Sequence, residues 1–264
     1  MLLRKPIVFC VSILLGFAVC AEALLAAAQQ YNPPRRGLPG RREGAGTRGT
    51  CLSGQKPLMP LVPADVLSLT TAENAVLYWY VPPTIAQMAE FRLLDGEIQV
   101  HATQVPLSKV GGITSYRLPT QVVGAMTMGK TYNWQFSIIC DPDQPSKNRF
   151  VEGQIERSEV SSTLAAQLKQ ATPLDRAALY AANGIWQEAI ATLGQERCTY
   201  PQDSQVRTRW AQLLQSVQLS GYVDEPLTQS CSALGLKPVT TRSLPLPRLQ
   251  PGRPLRISPT PAIR

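Results

Sequence analysis

The chain has 264 residues, a formal net charge of +8 and a single histidine. One histidine excludes any centre built on two or more of them. Charged residues make up 17% against a globular norm of about 25%, and 23 prolines interrupt the chain. Compact cores joined by extended segments are therefore expected, in one or two domains.

Arg4 and Lys5 precede an apolar run from Ile7 to Ala21, broken by Ser12 and Gly16, and Ala26-Ala27-Ala28 follows. That is the order of a secretory signal with cleavage before Gln29. The run is short for a membrane span, which takes about 20 residues. Residues 1–28 are thus read as a removed signal, with no transmembrane span after cleavage. The alternatives are an uncleaved anchor, or lipidation at Cys20, where Val19 is a bulky neighbour. Cleavage removes Cys10 and Cys20 and leaves Cys51, Cys140, Cys198 and Cys231. An even number of cysteines in an exported chain predicts disulfides, and four allow three connectivities. No C-x-x-C spacing suggests zinc.

Residues 29–50 carry Arg35, Arg36, Arg41, Arg42 and Arg48 against Glu43. Residues 237–264 carry Lys237, Arg242, Arg248, Arg253, Arg256 and Arg264 with no acid. The basic charge belongs to the ends, and the middle is mildly acidic. Residues 29–50, rich in Gly, Arg and Pro, and 233–264, rich in Pro and Arg, are predicted to be disordered, because neither buries enough apolar surface to offset ordering entropy. Such tails suit contact with anionic surfaces. Specific nucleic-acid binding is not expected, since no aromatic residues interleave with the arginines for base stacking.

Residues 51–157 read as a β domain. Val76-Leu-Tyr-Trp-Tyr-Val81 is a buried-strand sequence ending at Pro82-Pro83. Phe91 and Leu93 alternate with Glu90 and Arg92, and Ile98, Val100 and Ala102 with Glu97, Gln99 and His101. Tyr116 and Leu118 alternate with Ser115 and Arg117, and Val151 and Ile155 with Glu152 and Glu156. Tyr132, Trp134, Phe136, Ile138 and Cys140 alternate with Thr131, Asn133, Gln135 and Ser137. Period-two patterning predicts strands with one face on a core. Asp95-Gly96, Gly111-Gly112 and Gly129-Lys130 supply turns. Short strands at this spacing predict an antiparallel sandwich of immunoglobulin or fibronectin type. Cys140 falls on the inward face of its strand, and Cys51 just precedes the first apolar segment. A Cys51–Cys140 bridge would clamp the start of the domain to a core strand.

Residues 158–232 read as helical, giving an α+β chain overall. Leu164 and Leu168 lie one turn apart. Thr172-Pro173 opens the next helix and Asn183-Gly184 closes it. Trp186, Ala189, Ile190 and Leu193 form one apolar stripe, and Val206, Trp210, Leu213, Leu214 and Val217 another. Tyr180-Ala-Ala-Asn-Gly184-Ile-Trp186-Gln-Glu-Ala189-Ile190 resembles the middle of a tetratricopeptide repeat. Stable solenoids want about three repeats, so a helical hairpin packed on the β domain is expected. A Cys198–Cys231 bridge would join the end of one helix to the segment after the last.

Several segments together resemble a cyanobacterial family of exported proteins known as domain of unknown function 928. They are Arg48-Gly-Thr-Cys51, Leu61-Val-Pro63, Leu69-Thr-Thr-Ala-Glu-Asn74 leading into Tyr78-Trp-Tyr-Val-Pro82, Tyr132-Asn-Trp-Gln-Phe-Ser-Ile-Ile-Cys140-Asp141, Phe150-Val-Glu-Gly-Gln-Ile-Glu-Arg157 and Gly184-Ile-Trp186. The resemblance spans about residues 48–220. It implies export, the β domain and a Cys51–Cys140 pairing, and no reaction, ligand or catalytic residue. Gln154 departs from it where an aromatic residue is expected.

Candidate chemistry is sparse. Asp141, Asp143, Asn148 and Glu152 offer oxygens in or beside one loop, the ligand type of calcium. Glu73, Glu90, Glu97 and Glu152 could form a carboxylate pair of the kind glycoside hydrolysis uses. No G-x-S-x-G elbow accompanies His101, which reads as a surface histidine. If Tyr78 and Tyr80 face outward, two aligned rings could stack on sugars. The leading expectation is a non-catalytic exported protein, in the periplasm, on the outer-membrane surface or outside the cell. It would adhere or assemble through an envelope protein or polysaccharide, without a cofactor. A carbohydrate-binding module using Tyr78 and Tyr80 is the second reading, and a carboxylate-based hydrolase the third.

Overall fold

A computed structural model describes residues 30–34, 51–64, 67–228 and 231. Residues 1–29, which include the stretch read as a signal, and the basic stretches at 35–50 and 232–264 lie outside the described residues. The chain is mixed α+β, with largely antiparallel sheets followed by helices.

Strands β1 (Met59–Pro60), β3 (Val76–Val81) and β6 (Gly112–Arg117) form a three-stranded antiparallel sheet in the order β1-β3-β6. Strands β2 (Ser68–Thr70), β4 (Met88–Asp95), β5 (Ile98–Pro106), β7 (Thr131–Ile138) and β8 (Arg149–Arg157) form a five-stranded sheet ordered β2-β8-β7-β4-β5. Only the β2–β8 pair is parallel.

The expected alternation in β7 holds: Tyr132, Trp134, Phe136 and Ile138 are buried, while Asn133 is exposed. Trp79 of β3 stacks on Phe136, with centroids 4.2 Å apart and planes 11° apart, and also meets Phe91 and Trp134. These rings join the two sheets. Gly153 of β8 makes room for them, since a Cβ there would lie 2.2 Å from Cζ2 of Trp134.

The alternation in β5 is reversed. Ile98 and Val100 are 71% and 45% exposed, while Val105 is buried and His101 and Thr103 are half-buried. A register shift causes this. Leu93 pairs with His101, but Leu94 pairs with Gln99, so Val100 is an extra residue in the ladder. His101 consequently points inward: its Nε2 lies 2.8 Å from the Tyr116 hydroxyl, and the rings are nearly parallel.

Both faces of β3 are buried. Leu77, Trp79 and Val81 alternate with Tyr78 and Tyr80, which meet the helical layer. Tyr78 packs edge-on to Trp210 and Tyr80 against Tyr222, with centroids 6.5 and 5.1 Å apart. The helices after the sheets cover this face with their own apolar stripes. They are α2 (Ser162–Gln170), α3 (Pro173–Ala182), α4 (Trp186–Thr199) and α5 (Ser204–Gln215); a short helix, α1 (Thr120–Ala125), lies between β6 and β7. Thr172 caps α3 by accepting from the Asp175 amide at 3.3 Å, and Pro173 takes the first turn. Gly184 turns the chain at φ +74. Asp203 caps α5 through the amides of Gln205 and Val206.

Four ties between distant segments hold the layers. The chain joins Cys51 to Cys140 and Cys198 to Cys231, each pair with Cα atoms 5.4 Å apart. The segment before Cys231 pairs with the edge of β6: Ile113 donates to the Pro226 carbonyl at 2.7 Å, and Thr228 donates back to Ile113 at 3.1 Å. At the other end, Tyr31 is buried, its ring edge-on to Trp186 at 5.1 Å, and Asn32 donates to the Ala181 carbonyl at 3.0 Å. Residues 31–34 are therefore part of the fold, although the 29–50 stretch reads as disordered in sequence. An aromatic ring followed by two prolines supplies apolar area that the arginine-rich remainder lacks.

Candidate functional site

The residues singled out in the sequence do not assemble into one site. Tyr78 and Tyr80 are 1% and 6% exposed. The outward placement on which sugar stacking depended does not occur, because α4, α5 and the following turn bury both rings. The Tyr78 hydroxyl points at α4, where a Cβ on Gly194 would come within 2.5 Å of it.

The 141–148 loop closes on itself. Asp141 accepts from the Asp143 amide and pairs with Lys147 at 3.0 Å. These contacts, Lys147 first, hold the Asp141 carboxyl below its usual range. Asn148 accepts from the Cys140 amide at 3.1 Å, and Glu152 is exposed on β8 opposite Gln135. Among the described residues, no three His, Cys, Asp or Glu side chains converge as metal ligands. Glu90 is paired with Arg92 at 2.6 Å. Gln154, the departure noted in sequence, donates to the Asn133 side chain at 3.0 Å, a polar pair on the outer face of the sheet.

The structure instead opens a polar groove of about 370 Å³ where α3 and α4 meet the connection between β2 and β3. Three successive turns of α4 contribute Gln187 and Glu188, then Ala191 and Thr192, then Gln195 and Glu196. Arg176 and Tyr180 of α3 line it too, as do Asn74 and Arg117. Arg117 is steadied by donating to the Asn74 carbonyl at 3.2 Å.

Glu188 is the most unusual group here. Its carboxylate is 9% exposed and accepts from the Thr70 hydroxyl at 2.7 Å and the Ala72 amide at 3.0 Å through Oε1. Burial pushes its pKa up, against the downward pull of those donors. Oε2 has no partner of hydrogen-bond geometry, although the amides of Thr71 and of Glu188 itself bear on the carboxylate. Gln187 is 1% exposed, and its Nε2 has no acceptor. Burial and the Glu188 charge raise the Tyr180 phenol, which Arg176 partly offsets.

Sequence reading passed over this groove. Glu188 falls on the far side of α4 from the Trp186–Leu193 stripe, where a helix periodicity places solvent. Only the position of the β2–β3 connection buries it.

The family model described as Domain of Unknown Function (DUF928) matches residues 43–227. No curated protein matches the chain.

Proposed function

Since the chain belongs to this DUF928 family, we propose that it is a non-catalytic exported protein of the cell envelope. It adheres or assembles by binding a polysaccharide or protein in the groove between helices and sheets. The observation that carries this is the pair of buried, unpartnered polar atoms of Gln187 and Glu188 in an open groove. A buried polar group without a partner costs about 1–3 kcal/mol, and a ligand that supplies the partner recovers it.

Catalysis is the weaker reading. The second carboxylate in the groove, Glu196, lies two turns along α4 from Glu188, about 12 Å at 1.5 Å per residue. Glycosidase carboxyl pairs stand roughly 5–9.5 Å apart. Sugar stacking on Tyr78 and Tyr80 is withdrawn, because both rings are buried.

Export is supported by the signal-like start and by two cysteine pairs at disulfide distance, which persist in oxidising compartments. The cyanobacterial envelope implied by the resemblance belongs to the same reading, as does contact of the basic ends with anionic surfaces. We read the two sheets joined through Trp79 as an immunoglobulin-like sandwich, and α3 and α4 around Gly184 as a tetratricopeptide-like hairpin packed on it.

Co-sedimentation with envelope fractions tests the reading, using the full mature chain with a photo-crosslinker at Gln195 or, as control, at exposed Glu97. The expected result is co-sedimentation with adducts from Gln195 only. Failure to sediment overturns the envelope role, and adducts equally from Glu97 overturn the groove.

A further inference from the structure

The groove carries more detail than its existence. Two residues that line it each hold a buried side-chain atom without a hydrogen-bond partner: Gln187 Nε2, a donor, and Glu188 Oε2, a carboxylate oxygen. A hydroxyl group accepts from a donor of the first kind and donates to an acceptor of the second. Two arginines, Arg117 and Arg176, line the same groove. Guanidinium matches a carboxylate in planar, two-point fashion. Half-buried Tyr180 supplies one ring edge or face beside them.

We propose that this groove binds an acidic sugar, a uronic acid unit of a polysaccharide: its ring hydroxyls sit on Gln187 and Glu188 and its carboxylate lies between Arg117 and Arg176. The assignment rests on the envelope-binding reading and names the ligand class of that site. An acidic peptide fits less well. Peptide recognition uses a free sheet edge or an apolar groove with anchoring pockets. Here β3 is already paired on both sides by β1 and β6, and the apolar part of the lining is largely small, as at Ala72 and Ala75. The volume, about 370 Å³, suits one or two sugar rings.

Titration calorimetry of the full mature chain at about 0.15 M salt tests this, since exposed tail charges are then screened beyond roughly 8 Å. The probes are a galacturonic acid trisaccharide, its neutral galactose counterpart and a glutamate tripeptide. The galacturonate is expected to bind most tightly. Arg176→Gln and Arg117→Gln should each weaken it about tenfold or more, the worth of a charge-assisted hydrogen bond, and leave the neutral sugar unchanged. Gln187→Leu should weaken both sugars. The amide nitrogen it removes has no partner in the fold, and leucine is of similar volume, so its urea midpoint should change little. If galacturonate affinity is unchanged in both arginine variants, the tails carry it and the proposal is overturned. Equal binding of the tripeptide overturns the sugar assignment in favour of a peptide. If no galacturonate binds, the ligand class is wrong; envelope co-sedimentation that is then lost in Arg176→Gln leaves the groove standing, and co-sedimentation that persists removes the groove too.

Discussion

Trp186 Nε1 donates to the carbonyl of Leu61 at 2.8 Å, across 125 residues of sequence. The indole is fully buried, and the same ring receives Tyr31. One side chain at the start of α4 thus ties the helical layer to the first strand's exit and to the N-terminal segment.

Trp186→Phe should keep most of the packing but leave the Leu61 carbonyl without its donor, costing about 1–3 kcal/mol. Trp186→Ala should cost about 3–5 kcal/mol. Urea denaturation of both variants checks the order; a native midpoint in Trp186→Phe would mean that the hydrogen bond contributes nothing.

Glu188 predicts an unusual pH dependence. Its folded pKa is raised above the ordinary 4.5, chiefly by burial. The folded state therefore holds this proton more firmly than the unfolded chain does. Stability from this group is greatest below the ordinary value and is lost as pH rises through the folded one. Glu188→Gln keeps an acceptor for Thr70 and Ala72 and cannot ionise. Its urea midpoint should fall less than that of the native chain between acid and neutral pH, and a parallel pair of profiles would refute the assignment.

Gly153→Ala places a methyl group 2.2 Å from the Trp134 ring. The ring is locked between sheets, so the backbone of β8 must shift. Overpacking of this kind costs about 1–3 kcal/mol. Gly96→Ala is the control: φ is +58 but nothing lies within 4 Å, so only backbone strain of about 1 kcal/mol is expected. Thermal melts of the two variants should separate them in that order.

The two cysteine pairs should differ in worth. Chain-entropy arithmetic over separations of 89 and 33 residues gives about 4.6 kcal/mol for Cys51–Cys140 and about 3.7 kcal/mol for Cys198–Cys231. Paired Cys→Ser variants measured in urea should follow that ranking. Non-reducing peptide mapping that joins Cys140 to Cys198 would contradict both pairs.

How much of this was legible in sequence varied with how local the cause was. Strand β7 is read correctly because it is central and one face meets a core, so polarity alternates with the pleat. The cap at Thr172 and the turn at Gly184 are local chemistry and survive any tertiary arrangement. Strand β5 is misread because one extra residue, Val100, reverses the faces, and no composition signal marks a bulge on an edge strand. In β3 the apolar run indicates burial on both faces but not by what, so Tyr78 and Tyr80 could be imagined outside. The Gln187–Glu188 groove is invisible because both residues are polar and sit where a helical wheel predicts water.

The contact between Tyr31 and Trp186 has a kinetic consequence. A chain that emerges N-terminus first exposes Tyr31 and Leu61 long before their partners in α3 and α4 have arrived. Cys51 likewise waits for Cys140, and Lys56 for Glu225, with which it forms an ion pair. Besides the local pairing of β1 with β3, early segments thus close onto late ones, and such long-range contacts slow folding. The layers cannot lock until nearly the whole domain is free. Full compaction should therefore trail the release of the last helix from the ribosome.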